Sequence, residues 1–128
     1  MSDVPFPHRR EFSRVPVHLR AEVLVGGTLL PEGIMESLSL KGGFFRCGTP
    51  PAEGVRCEVR LHLDGTEVEV RAQGHVVRQG ADGAAIQFDE IVGVDSLDHL
   101  RNVILFNSHN PAQVEQEFHD HIGLKRDI

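Results

Sequence analysis

The chain has 128 residues, 40% of them hydrophobic, and a formal net charge of −6 from 19 acidic and 13 basic side chains. That length fits one compact domain; two would each be too small to bury a good core unaided. The acidic balance argues against broad binding to DNA or RNA, which depends on neutralising many phosphates, and with no Trp or Tyr any base stacking falls to Phe or Arg.

Apolar runs are only a few residues long, far short of a membrane span. The opening MSDVPFPHRR has no signal-like apolar stretch, so the expected location is the cytoplasm. Cys47 and Cys57 form no C-x-x-C pair and are expected as two buried thiols. Residues 1–14 read as a flexible arm containing Pro5 and Pro7.

The first strand runs from Val15 to Val25, with Val17, Leu19, Ala21 and Val23 on one face. Gly26–Gly27 turns the chain. Thr28 to Leu40 is extended apart from the interruption Pro31-Glu32-Gly33, and Lys41-Gly42-Gly43 reads as a second tight turn before the short strand FFRC. Of the Phe44–Phe45 pair, one ring is expected in the core and the other as partial cover. After the loop Thr49 to Gly54, strict alternation at Val55, Cys57, Val59, Leu61 and Leu63 predicts a half-buried strand. Asp64–Gly65 is a hairpin signal, and Val68, Val70, Ala72 and Gly74 carry the alternation to about Arg78. Residues 79–83 turn again, and AAIQFDEI is the last strand. Short strands joined by Gly-bearing turns predict a small antiparallel barrel or sandwich over residues 15–92.

The period then changes. Leu97, Leu100, Ile104 and Leu105 share a helical face, with Asp95 as the expected cap and Asp98 in the first turn. A second helix starts at Asn110 as cap, Pro111 at the first position and Gln113 in a capping-box-like place. Its apolar stripe, Val114 and Phe118, is thin, and Gly123 is the expected stop. This helical extension, residues 94–123, must dock on the barrel or on a partner.

Two stretches carry chemistry. His8 to Val17, HRREFSRVPV, gathers Arg9, Arg10 and Arg14. Guanidinium is a planar, permanently charged fork that grips phosphate with two bonds and stacks on flat rings. Ser37 to Gly43, SLSLKGG, offers hydroxyls at Ser37 and Ser39. Its Gly42 and Gly43 let a ligand approach the backbone. Histidines at 119 and 121 point in different directions on a helix, and no Cys/His ligand spacing or catalytic spacing is visible. Neither a metal site nor an enzyme is therefore expected.

Together these stretches resemble the PilZ family, whose members carry R-x-x-x-R on an N-terminal arm and [DN]-x-S-x-x-G later. Here the first is Arg10 to Arg14 and the second is Ser37-Leu38-Ser39-Leu40-Lys41-Gly42. The order of RREFSRVPV, LSLKGGFF, EGVRCEVRLHL and AAIQFDEI extends the resemblance over roughly Pro7 to Ser108. It implies an all-β fold, a six-stranded antiparallel barrel with C-terminal helices. It also implies a non-enzymatic receptor for cyclic di-GMP, with no further cofactor, that signals to an effector protein; monomer and homodimer both stay open. On that resemblance Arg10 and Arg14, assisted by Arg9, contact phosphates and guanine faces. Ser39 contacts guanine, Gly42 and Gly43 turn close by, and Arg78 lies near a stacking position, although the plainer reading of Arg78 is a solvent-facing strand arginine. The arm would close over the ligand and so couple it to a partner.

One position departs: Ser37 stands where the family has Asp or Asn. A carboxylate accepts two donors from the edge of guanine, and a hydroxyl does not reproduce that fork. The loss amounts to roughly tenfold to a hundredfold in affinity. Glu36 is adjacent, but period-2 alternation points it to the opposite strand face. Ser37 and the helical extension favour a rival reading, a degenerate PilZ domain acting as a protein-interaction module. The intact arginine spacing favours the receptor.

Overall fold

The computed structural model describes residues 13–63 and 66–126, with side chains as far as His119. Arg9, Arg10 and the hairpin signal at Asp64–Gly65 lie outside the described residues.

Alternating apolar residues build strand β1 (Val15–Val25), β3 (Gly33–Ser39), β4 (Gly42–Arg46), β5 (Arg56–His62), β6 (Glu69–Gln79) and β7 (Gly83–Ile91). β2 (Thr28–Leu29) is a short extension that pairs with the end of β1. Gly26 and Gly27, both at positive φ (58° and 84°), make the two-residue turn between them, where the twist of a tight hairpin requires that backbone. All pairings are antiparallel, in the order β2-β1-β3-β4-β7-β6-β5, and β5 returns to β1 through Ala21–Leu61 to Leu24–Glu58. The sheet therefore closes as a six-stranded barrel, as the resemblance implied. Closure leaves those six strands no long free edge.

Inward residues fill the barrel: Val15, Ala21 and Val23 from β1, Met35 and Leu38 from β3, Phe45 from β4, and Cys57, Val59 and Leu61 from β5. Val70, Ala72 and Val76 of β6 and Ala84, Ile86 and Phe88 of β7 complete it. Both cysteines are free and buried. Burial, reinforced by the charge of Asp89, pushes the Cys57 thiol up to about 11. It therefore carries almost no reactive thiolate at neutral pH.

Four register shifts interrupt the ladders, one of them in β1 between Pro16 and Leu19, and three leave a single residue over. On β3, Met35 faces Phe45 and Ser37 faces Phe44, so Glu36 is an extra residue. On β6, Val76 faces Ile86 and Arg78 faces Ala85, which makes Val77 extra. On β7, Phe88 faces Gly74 and Glu90 faces Gln73, leaving Asp89 over. Each bulge sets two consecutive side chains on the outside: Glu36 with Ser37, Val77 with Arg78, and Asp89 with Glu90.

Helix α1 (Val94–Phe106) lies against β6 and β7, burying Leu100 and Ile104. Asp95 does not cap it. Gly93 occupies that position with no side-chain cap, and the nearby hydroxyl of Ser96 instead accepts the Arg71 N–H at 3.1 Å, fastening the helix start to β6. Helix α2 (Pro111–Arg126) packs on α1 through Val114. Asn110 caps it as expected, accepting the Gln113 N–H at 3.2 Å. Arg101 of α1 bridges both oxygens of Glu115 (3.2 and 2.6 Å) and lies 5.3 Å from the centre of the Phe118 ring. The helix runs through Gly123 to Arg126 rather than stopping at the glycine; a glycine within a helix weakens it without having to end it.

Candidate functional site on the outer barrel face

Side chains on one face of a sheet are brought together by register. Starting from β1, Pro16 pairs with Ser37, Ser37 with Phe44, Phe44 with Ala85, and Ala85 with Arg78. All five residues are on the outside of the barrel, exposed or half-buried. The neighbouring row is Ser39–Gly42–Gln87–His75–Arg56. Arg14 directly precedes Val15, which pairs with Leu38, so its backbone enters this face beside Ser39.

The fold therefore brings Arg14, Ser37, Ser39, Gly42 and Arg78 to one outer surface, although they are spread over more than sixty positions of sequence, whereas Gly43 stands in the inward row between Leu38 and Ile86. Two bulges are responsible. Were β3 to alternate without the bulge, Ser37 would share the inward face of Met35 and Leu38 would turn outward. Were β6 to alternate through Val77 without the bulge, Arg78 would share the inward face of Val76. Ser37 and Arg78 stand on strands three spacings apart, about 14 Å, with Phe44 and Ala85 between them.

Electrostatics mark the same surface. Arg20, Arg46, Arg60, Arg71 and Arg101 each hold a carboxylate partner. Arg14, Arg56 and Arg78 are exposed and have no ion-pair partner among the described residues. These three guanidinium groups flank the two rows. Reading the sequence missed Arg56, because only the β5–β6 register sets it beside His75. His75 meets Asp89 at 2.8 Å through the β7 bulge.

The serine and glycine positions behave differently from expectation in detail. The turn consists of Leu40 and Lys41, and Gly42 and Gly43 are already strand residues. A side chain at Gly42 would run into the carbonyl of Ile86, and one at Gly43 into that of Ser37. Close approach of neighbouring strands thus requires these glycines whatever binds outside. Ser39 is buried, and its hydroxyl serves the turn itself. It accepts the Lys41 N–H at 3.1 Å and donates to the Gly42 carbonyl at 3.4 Å, closing the turn. Ser37 is half-buried and makes no side-chain hydrogen bond among the described residues. Phe45 is fully buried, while Phe44 turns outward and lays its ring over Gly83.

Glu36 differs from its expected orientation altogether. The bulge, which alternation alone does not reveal, puts its side chain on the outer face beside Ser37. Its Oε2 lies 2.8 Å from the Nε of Arg46.

At the root of the arm, the Ser13 N–H and hydroxyl each donate to the Glu117 carboxylate of α2 at 2.8 Å. Gln113 donates to the same carboxylate at 3.2 Å. Nothing in the sequence pointed to this contact, which spans 104 positions.

Among the described residues no group of three or more His, Cys, Asp or Glu is arranged to hold a metal ion, and no helix is long and apolar enough to cross a membrane. The arrangement is a surface of guanidinium groups around an apolar centre, with a hydroxyl and a carboxylate at one side.

The PilZ domain model matches residues 8–106. Twelve chains of solved structure match. One is the PilZ domain of CeSA from a cellulose-synthesizing bacterium, with 19% identity and a TM-score of 0.57, the match covering 72% of this chain and 94% of that one. Another is the inhibitor of motility MotI/DgrA of Bacillus subtilis, with 16% identity and a TM-score of 0.61, covering 75% of this chain and 50% of that one. The matched part thus spans half the length of the latter chain, and at these identities the likeness is one of fold. No curated protein matches the chain.

Proposed function

Because the chain belongs to the PilZ domain family, we propose that it is a non-enzymatic receptor for cyclic di-GMP, binding the nucleotide on the outer barrel face and passing the signal to an effector protein. The observation that carries this reading is the convergence of Arg14, Ser37, Ser39, Gly42 and Arg78 on one surface, with Arg14 and Arg78 free of any described carboxylate. Permanent cations held without counter-charges favour an anionic ligand, and a fork suits a phosphate better than a point charge does. The phenyl ring of Phe44 between them offers an apolar floor for a flat base.

In this mechanism Arg10 and Arg14, with Arg9, take phosphates and guanine faces from the arm side, and Arg78 faces them across the row. The arm docks when the ligand neutralises its charges. Its root is tied to α2 through Ser13 and Glu117, so docking is coupled to the helix and to whatever partner reads it.

The second reading is an interaction module that no longer binds nucleotide. It is favoured by Ser37 at the motif's Asp or Asn position and by the Ser39 hydroxyl being engaged within its own turn. Calorimetry separates the two. Cyclic di-GMP should bind saturably, with GTP and cyclic di-AMP as weak controls. Arg14→Ala and Arg10→Ala should each lower affinity roughly tenfold to a hundredfold, the worth of a charge-assisted bond, with unchanged melting. Absence of binding by the unaltered protein at high ligand concentration leaves the interaction module as the correct reading.

A further inference from the structure

The departure at Ser37 removes a carboxylate from one strand position, and the fold returns one from the next. Both ladders beside β3 slip at the same residue. Toward β4, Glu36 is the extra residue between the Met35–Phe45 and Ser37–Phe44 pairs. Toward β1, the pairs Pro16–Ser37 and Leu19–Met35 leave two β1 residues against Glu36 alone. A regular strand would put Glu36 and Ser37 on opposite faces. Here both are half-buried and outward, while Met35 and Leu38 on either side are fully buried. Pro16 suits the irregularity, since it has no N–H to lose from the ladder.

The carboxylate is also held. Its Oε2 meets the Nε of Arg46 at 2.8 Å, with the glutamate side chain 38% exposed and the arginine 57%. That is its one polar contact among the described residues. Arg46 is itself fixed on the sheet between Ile34 and Gly83. The pair therefore presents an oriented, accessible acceptor beside Ser37 and Phe44.

Guanine is the base such an acceptor selects. Its Watson–Crick edge offers the ring N1–H and the exocyclic amine side by side, and a carboxylate takes both with its two oxygens. Adenine offers only the amine there, next to an acceptor nitrogen that repels a carboxylate.

We propose that Glu36, carried to the outer face by the β3 bulge and held by Arg46, is the guanine-reading group of this site, replacing a carboxylate at Ser37. This inference rests on the receptor reading above, with Arg46 as a positioning residue.

The test is calorimetry with cyclic di-GMP and with its inosine counterpart, which lacks the exocyclic amine. The unaltered protein should prefer cyclic di-GMP by about tenfold or more. Glu36→Gln should lose roughly tenfold to a hundredfold for cyclic di-GMP, most of the preference over the inosine ligand, and nothing in melting temperature. Adding Ser37→Asp to Glu36→Gln should restore both affinity and preference. If Glu36→Gln keeps the affinity and preference of the unaltered protein while Arg14→Ala loses binding, the inference is overturned and the receptor reading stands. If the unaltered protein binds neither ligand, the receptor reading fails and takes this inference with it.

Discussion

At Gly42 a side chain has nowhere to go, because its Cβ would meet the Ile86 carbonyl and the backbone of Gln87. Arg78, by contrast, projects into solvent from a bulge and supports nothing inside. The two residues belong to the same candidate surface yet should fail in different ways. Gly42→Ala should destabilise the fold by about 1–3 kcal/mol or more, as overpacking a tight site does, and be visible as a lower urea midpoint. Arg78→Ala should leave the urea midpoint in place and weaken cyclic di-GMP binding alone. A Gly42→Ala variant with an unchanged midpoint would show that the strands can part at little cost. This difference bears on what was legible in advance. The motif spacing singled out Arg14, Ser37, Ser39 and Gly42, and the register places these positions on one face. The spacing did not reveal that the glycine is held by strand contact, or that the Ser39 hydroxyl closes a turn. Both facts depend on which atoms a neighbouring strand brings near, and residue types along one strand do not carry that information.

Among the elements, the strands were readable because a half-buried strand must alternate, and Cys57, Val59 and Leu61 do so without a break. Bulges were not readable. Whether Glu36 is an extra residue depends on how many residues its two partners spend over the same span, and alternation within β3 cannot count them. The same holds for Val77 and for Asp89, so the bulge that turns Arg78 to the solvent side, where a strand arginine was expected, and the His75–Asp89 contact came only with the register. Helix starts were half readable. Asn110 caps α2 as its spacing predicted, whereas the Asp95 side chain is displaced from that role because the chain leaves β7 through Gly93 at a φ of 91°. The thin stripe of α2 proved enough for docking on α1 because a single valine, Val114, is fully buried there and Arg101 ties in Glu115 and Phe118. So narrow an attachment predicts a local failure. Val114→Ala should cost about 1–3 kcal/mol of α2 docking. It should raise amide exchange across Pro111–His119 while β5, β6 and β7 keep their protection. Equal loosening of the barrel strands would mean that α2 is part of the barrel's cooperative unit rather than an attachment to it.

For the whole molecule, the barrel is the part least able to move. Its strands close on one another, and its core is filled from all six. Any signal leaving the outer face must therefore travel by something attached to it. The described contacts offer one such route. Ser13 stands immediately before Arg14, and its N–H and hydroxyl both end on Glu117, whose carboxylate also takes the amide of Gln113. Gln113 in turn meets the capping Asn110. A chain of hydrogen bonds thus runs from the arm's root to the start of α2, and a change in the position of Arg14 pulls on that chain. The Ser13–Glu117 fork has two charge-assisted bonds but is only part-buried, so it contributes at most about 1.5–3 kcal/mol. That is enough to bias a helix whose one fully buried side chain among the described residues is Val114, and too little to hold it alone. Glu117→Ala should therefore leave the barrel's melting and the affinity for cyclic di-GMP within a few-fold of the unaltered protein. It should raise amide exchange at Ser13–Val17 and in the first turns of α2. It should also abolish any change in α2 exchange on adding ligand. The measurement is hydrogen exchange read by mass spectrometry on both proteins, with and without cyclic di-GMP. If α2 of the variant still responds to the ligand as α2 of the unaltered protein does, the arm does not act through Glu117. The coupling would then have to run through β6 and β7, on which α1 rests.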